Sequence, residues 1–140
     1  MRGADAGDSS VRVAALTALW AGLLYDTDSL GAAWERAGTW TPEEHHALDS
    51  SVARYGFGTP FRGGTVQDLC LWLLDLSRQG LQRRDQRNQQ GQDESCYLAP
   101  LQEVAETGQT FAEQLLRRFE HEWDGDIDIA VRAMCEENLS

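Results

Sequence analysis

Two histidines stand side by side, His45-His46, in the only place where imidazoles are paired along the chain. Neighbouring side chains on a helix point about 100° apart, so this pair cannot close on one metal ion from a single face. No third ligand sits nearby, and a solvated pair is expected. The cysteines Cys70, Cys96 and Cys135 show no Cys-x-x-Cys spacing, which disfavours a zinc site or a disulfide framework and leaves semi-buried thiols. Gly56 to Gly64, GFGTPFRGG, holds four glycines around Pro60. It lacks the Gly-Lys-Ser/Thr end that cradles phosphate in a P-loop, so it reads as a connector, with Arg62 the one residue placed to reach an anion. Glu120-His121-Glu122 contains an acid and a base, but charged runs of this kind are usually solvated faces. There is no Ser-His-Asp order to trust, no histidine pair at i and i+4, and no Walker sequence. Residue types alone disclose no reaction.

The elements that would position such groups are helices. Val11 to Tyr25 is the most apolar run, with Arg12 its only charge. A helix apolar on nearly every side must be buried on nearly every side, which makes residues 11–25 the expected central helix. Ser9 or Ser10 can cap it. A second helix is expected from Asp28 to Gly38, with Gly38 in the left-handed conformation that closes helices. Thr41-Pro42-Glu43-Glu44 is a capping box with proline at the first helical position, and Gly56 ends the helix it opens. Thr65-Val66-Gln67-Asp68 opens a long helix whose broad apolar face includes Leu69, Cys70, Leu73, Leu74 and Leu81. Its basic end, Arg78 to Arg87, suits the negative end of the helix dipole.

Residues 85–95, DQRNQQGQDES, read as a mobile surface loop. A short helix from about Pro100 to Thr107 ends at Gly108, and Thr110-Phe111-Ala112-Glu113 opens another, lined by Phe111, Leu115, Leu116 and Phe119. Residues 126–137 suggest a last helical turn or two docking back. No strand alternation of useful length occurs. The expected fold is mainly α, an irregular bundle of about six helices around the buried central helix, in one domain spanning 1–140 with 1–8 flexible.

Composition narrows the function classes. Apolar content of 41% over 140 residues argues for a packed core. The net charge is −11 and every basic residue is arginine, so nucleic acid and anionic membranes should be repelled. The run from Val11 to Tyr25 falls short of the about 20 residues that cross a bilayer. Residues 1–10 lack the basic-then-apolar order of a signal peptide, and a soluble, cytoplasmic protein is expected.

Met1-Arg2-Gly3-Ala4-Asp5, followed by ALWAGLLYD ending at Asp26, resembles a segment of plant-type and proteobacterial glutamate–cysteine ligases. There, a Glu-Met-Arg-Gly-Ala-Asp run leads into a helix ending Trp-x-Gly-Leu-Leu-Tyr-Asp. Thr39-Trp40-Thr41-Pro42-Glu43-Glu44 is similar to that family's Asp-Trp-Thr-x-Glu-Glu. Counterparts follow in the same order: Thr59-Pro60-Phe61-Arg62, Gly80-Leu81-Gln82-Arg83-Arg84, Gly108 to Glu113, Leu115-Leu116 and Trp123-Asp124-Gly125. No single motif is specific, but their order and spacing over almost the whole chain is. The resemblance covers about the last third of a family member, and implies a helical C-terminal part of a larger α+β ligase domain.

The family joins the γ-carboxylate of glutamate to the amine of cysteine. ATP converts that carboxylate into an acyl phosphate, γ-glutamyl phosphate, which the amine attacks. Mg²⁺ and arginine neutralise the charge spreading over the phosphoryl oxygens. A glutamate–arginine pair beside the nucleotide would serve both needs, and here only its arginine is present, as Arg2. Arg2 is therefore the implied catalytic and ATP-binding residue, with Asp5 a distant second that would brace it. No metal ligand is implied within these residues, and the isolated chain is expected to bind neither ATP nor Mg²⁺ and to be inactive. It would be a fragment, a late-start gene model or half of a split gene, whose partner is the missing catalytic portion. A free-standing helical interaction module derived from the family is the alternative. The family's Gly-Gly-Pro is Ala6-Gly7-Asp8 here, and Ala14 stands where plant relatives have a redox-sensitive cysteine. Regulation by a disulfide is therefore not carried over.

Overall fold

The computed structural model describes residues 9–137. They form α1 (Ser10–Leu24), α2 (Thr27–Ala37), α3 (Pro42–Tyr55), β1 (Pro60–Phe61), β2 (Gly64–Thr65), α4 (Val66–Arg84), α5 (Ala99–Thr107), α6 (Phe111–His121) and α7 (Ile127–Glu137). Short 3₁₀ turns occupy Gly56–Gly58 and Glu94–Leu98. The fold is mainly α, as expected, and α7 is a full helix of 11 residues where a turn or two was foreseen.

Helix starts follow from local side-chain chemistry. Thr41 with Glu44, Thr65 with Asp68 and Thr110 with Glu113 each form a reciprocal capping box. In each, two backbone N–H groups that the helix leaves unsatisfied find acceptors. Ser9 caps α1, its hydroxyl accepting from the Arg12 N–H at 3.3 Å. Helix α2 starts earlier than expected because the Asp26 carboxylate accepts from the Ser29 N–H at 2.8 Å. Gly38, expected at positive φ, sits instead at φ −63°. Its N–H donates to the Trp34 carbonyl at 2.7 Å, which closes the helix without a left-handed residue. Gly108 does take that conformation, at φ +67°.

Helices α1 and α4 cross at backbone contact. A Cβ on Gly22 would lie 2.2 Å from the Ser77 carbonyl oxygen, and one on Gly80 would lie 2.1 Å from the Gly22 carbonyl oxygen. Both helices need glycine there because the space belongs to the other's main chain. Ser77 fills the remaining gap, its hydroxyl donating to the Leu19 carbonyl at 3.0 Å. From this crossing the core spreads through Ala18, Leu74, Leu81, Leu98 and Ala105. Leu98 reaches it through the Glu94–Leu98 turn.

Helix α1 is central to the bundle, touching α2, α4, α5 and the Glu94–Leu98 turn, but it is not covered all round. Ala15, Ala18, Gly22 and Leu23 are buried, while Val13, Thr17, Leu24 and Tyr25 are exposed. Residues 13, 17, 20 and 24 fall on one helical stripe. Trp20, on that stripe, is half-buried and lines a depression with α2 and α4, so the bare part of α1 is Val13, Thr17 and Leu24 although the sequence is apolar throughout.

The GFGTPFRGG loop becomes a two-stranded antiparallel ribbon, with Pro60 opposite Thr65 and Phe61 opposite Gly64. Its two turn residues, Arg62 and Gly63, both have positive φ, +46° and +82°, as a type I′ hairpin turn requires. Residues 85–93 are organised around Asn88, whose side-chain oxygen accepts from the N–H groups of Gln90 and Gln92 at 3.0 Å each.

Candidate functional site

Arg2 and Asp5, the two residues singled out for ATP, lie outside the described residues. Helix α1, which follows them, is moored near its start to α6. The Arg12 guanidinium lies 3.9 Å above the Phe111 ring and donates to the Gln114 side-chain oxygen at 3.3 Å.

Arg62 is engaged within the chain. It donates to both carboxylate oxygens of Glu44 at 2.7 Å, and to the Thr39 hydroxyl and carbonyl oxygens at 2.6 Å each. This fork pins the ribbon to the start of α3 and holds Arg62 in its left-handed conformation. The guanidinium, helped by the Thr41 N–H, lowers the Glu44 carboxyl from 4.5 to about 2. His45 lies against Trp40, with ring centroids 5.3 Å apart, and His46 is exposed. Among the described residues no group of three or more His, Cys, Asp or Glu side chains is arranged to hold a metal ion.

The cysteines are unpaired thiols: Cys70 is half-buried, Cys96 and Cys135 exposed. Burial pushes the Cys70 thiol up, away from reactivity. In Glu120-His121-Glu122, Glu122 accepts from Arg118 at 3.0 Å. Arg118 also pairs with Glu137, which ties α6 to the end of α7. These bonds raise the arginine and lower Glu137.

Another polar cluster joins α2 to α4, and sequence reasoning missed it. Arg83 donates through Nε to Asp26 Oδ1 at 2.9 Å, through Nη2 to Asp26 Oδ2, and through Nη2 to the Ser29 hydroxyl at 3.0 Å. The fully buried Ser29 hydroxyl donates to the Leu76 carbonyl at 2.8 Å. Arg83, followed by the Ser29 N–H, holds the Asp26 carboxyl well below the usual carboxylate range. Asp26 ends the ALWAGLLYD motif and Arg83 lies in Gly80 to Arg84, but they are 57 positions apart, and no local pattern joins them.

A pH dependence follows. The Asp26 contribution is complete above the ordinary carboxylate pKa of about 3.9 and is lost as pH falls below it, because the unfolded chain takes up the proton first. Asp26→Asn keeps a capping oxygen but removes the ion pair. Its melting temperature is expected to lie below that of the natural chain at neutral pH, with the gap closing below about pH 4. Thermal melts across an acid series check this, and a gap that stays constant down to about pH 2 would contradict it.

Two of the larger surface depressions among the described residues are lined by apolar side chains. One, of about 390 Å³, lies between α1, α2 and α4 and includes Trp20, Leu30, Trp40 and Trp72. The other, of about 340 Å³, lies between α6 and α7 and includes Leu116, Phe119, Ile127 and Val131. Neither gathers the convergent polar groups of a small-molecule site. The shifted acids among the described residues serve helix caps, turns and ion pairs. Their arrangement stabilises helix ends, turns and the contacts between helices.

These features define a mainly helical portion, in which residues of the quoted motifs set helix packing. Gly22 and Gly80 set the helix crossing, Asp26 and Arg83 lock α2 to α4, and Gly108 and Gly125 take positive φ. The family model of Glutamate-cysteine ligase family 2 matches residues 1–137, and the chain belongs to that family. It is 41% identical over 128 residues to the chloroplastic glutamate–cysteine ligase of Arabidopsis thaliana, covering 91% of this chain and 23% of the relative. It is equally similar to the chloroplastic ligase A of Oryza sativa subsp. indica, of which it covers 25%. The chloroplastic ligase of Brassica juncea is 40% identical, with 24% covered. The chain thus corresponds to a C-terminal portion and spans about a quarter of the relatives' length, less than the third first expected. The cytoplasmic expectation is corrected by the same names, which point to the plastid. That expectation rested on residues 1–10, and the start of a C-terminal portion carries no information about a leader.

Proposed function

We propose that this chain is the C-terminal, supporting portion of an ATP-dependent ligase that forms γ-glutamylcysteine from glutamate and cysteine through γ-glutamyl phosphate, a step of glutathione biosynthesis. The carrying observation is the family match over residues 1–137. The described helices would brace an upstream catalytic portion that holds both amino acids and the nucleotide. Arg2, just ahead of α1, would donate hydrogen bonds to phosphate oxygens as negative charge builds on them. The described residues do not fit Mg²⁺, so its ligands would come from upstream. The free-standing module is the weaker reading, because a self-sufficient bundle has no reason to leave Tyr25 and Trp34 each 76% exposed.

The test is a chimera carrying the Arabidopsis thaliana ligase up to the matched portion and this chain thereafter. The chimera is expected to make γ-glutamylcysteine with stoichiometric release of ADP and phosphate, and the 140 residues alone are expected to make none. Product from the isolated chain, or an inert chimera beside an active Arabidopsis thaliana enzyme, would defeat the reading.

A further inference from the structure

The face left bare by α1 and α2 has the features of a seat for polypeptide. Val13 and Leu24, each 45% exposed, lie on the open stripe of α1. That stripe runs through Trp20 into the depression bounded by Leu30 and Trp40. Trp34, four residues beyond Leu30 on α2, extends the apolar surface outward. Within it the indole N–H groups of Trp20 and Trp40 are both buried and have no acceptor among the described residues. A buried donor without an acceptor is costly, and native proteins rarely keep two together. Both nitrogens are already enclosed by this chain's own atoms, so an occupant meets the exposed apolar side chains around them.

The position of the face narrows the occupant further. The Arabidopsis thaliana relative carries about three-quarters of its polypeptide outside the matched C-terminal portion. In this chain, whatever precedes Ser9 enters α1 at its N-terminal end, where the open stripe begins. The α6–α7 depression also leaves Leu116, Ile127 and Val131 exposed, but none of its lining residues lies on α1, the helix that the preceding polypeptide enters.

We infer that the α1–α2 face, centred on Leu24 and Trp34 and continuing into the depression lined by Trp20 and Trp40, docks the upstream catalytic portion of the ligase. The inference rests on the ligase reading above. Hydroxyl-radical footprinting of the isolated chain and of the chimera, read by mass spectrometry, tests it without altering a residue. Oxidation of Tyr25 and Trp34 is expected to fall at least about fivefold in the chimera, as water is excluded from an interface centre. Tyr55, exposed at the end of α3, serves as the reference. A chimera that makes γ-glutamylcysteine while Tyr25 and Trp34 oxidise as before overturns the docking and leaves the ligase reading intact. Protection without product supports the docking and counts against the ligase reading. Protection that appears in the isolated chain as its concentration rises assigns the face to a second copy and overturns the proposal.

Discussion

Gly22→Val is expected to destabilise the isolated chain by about 3 kcal/mol or more, because overpacking against a main chain cannot be relieved by a rotamer change. The Cβ alone would stand 2.2 Å from the Ser77 carbonyl oxygen. The helices would have to part, breaking the hydrogen bond from the Ser77 hydroxyl to Leu19 and opening the layer around Ala18 and Leu74. Gly80→Val attacks the same crossing from the other side and is expected to cost about as much. Gly31, also helical, has nothing within 4 Å of the place a Cβ would take. Gly31→Ala is therefore expected to be stabilising by up to about 1 kcal/mol through helix propensity. Thermal melts read the contrast, with Gly22→Val lowered by roughly 10 °C on the size scaling of such domains. A Gly22→Val chain melting within a degree or two of the natural one would mean the helices do not meet at backbone contact.

The second large effect concerns catalysis in the chimera. Arg2→Ala is expected to lower kcat by about 100-fold to 1,000-fold, the loss typical of removing one donor that meets charge building in the transition state. Arg2→Lys should recover only part of this, since an ammonium cannot present two parallel donors to phosphate oxygens. The melting temperature should be unchanged in both variants. A fall of less than about fivefold in kcat would remove Arg2 from the phosphate site. An equal fall accompanied by a lowered melting temperature would make it a folding residue instead.

Much of the helical framework could be read from local chemistry. Each capping box is complete within four residues, so Thr41, Thr65 and Thr110 announce their helices without help from the rest of the chain. The ribbon at Pro60–Thr65 was less legible, because strands of two residues leave no alternation to detect. Gly38 misled because glycine permits positive φ without requiring it, and the closing hydrogen bond to Trp34 formed at a negative one. Function was legible only through resemblance, and Arg2, the residue to which the proposed reading assigns it, precedes the described helices.

By itself, the sequence determined where the capped helices α3, α4 and α6 start, that α1 would be the most apolar, and which family the chain belongs to. These are properties of neighbouring residues or of motif order, and they survive without contacts at a distance. Only the tertiary structure decided that Gly22 meets Gly80, that Asp26 finds Arg83, and that α1 keeps one side bare. Such pairings depend on how two helices approach in space, and the free energy that selects an approach comes from packing no short stretch of sequence contains.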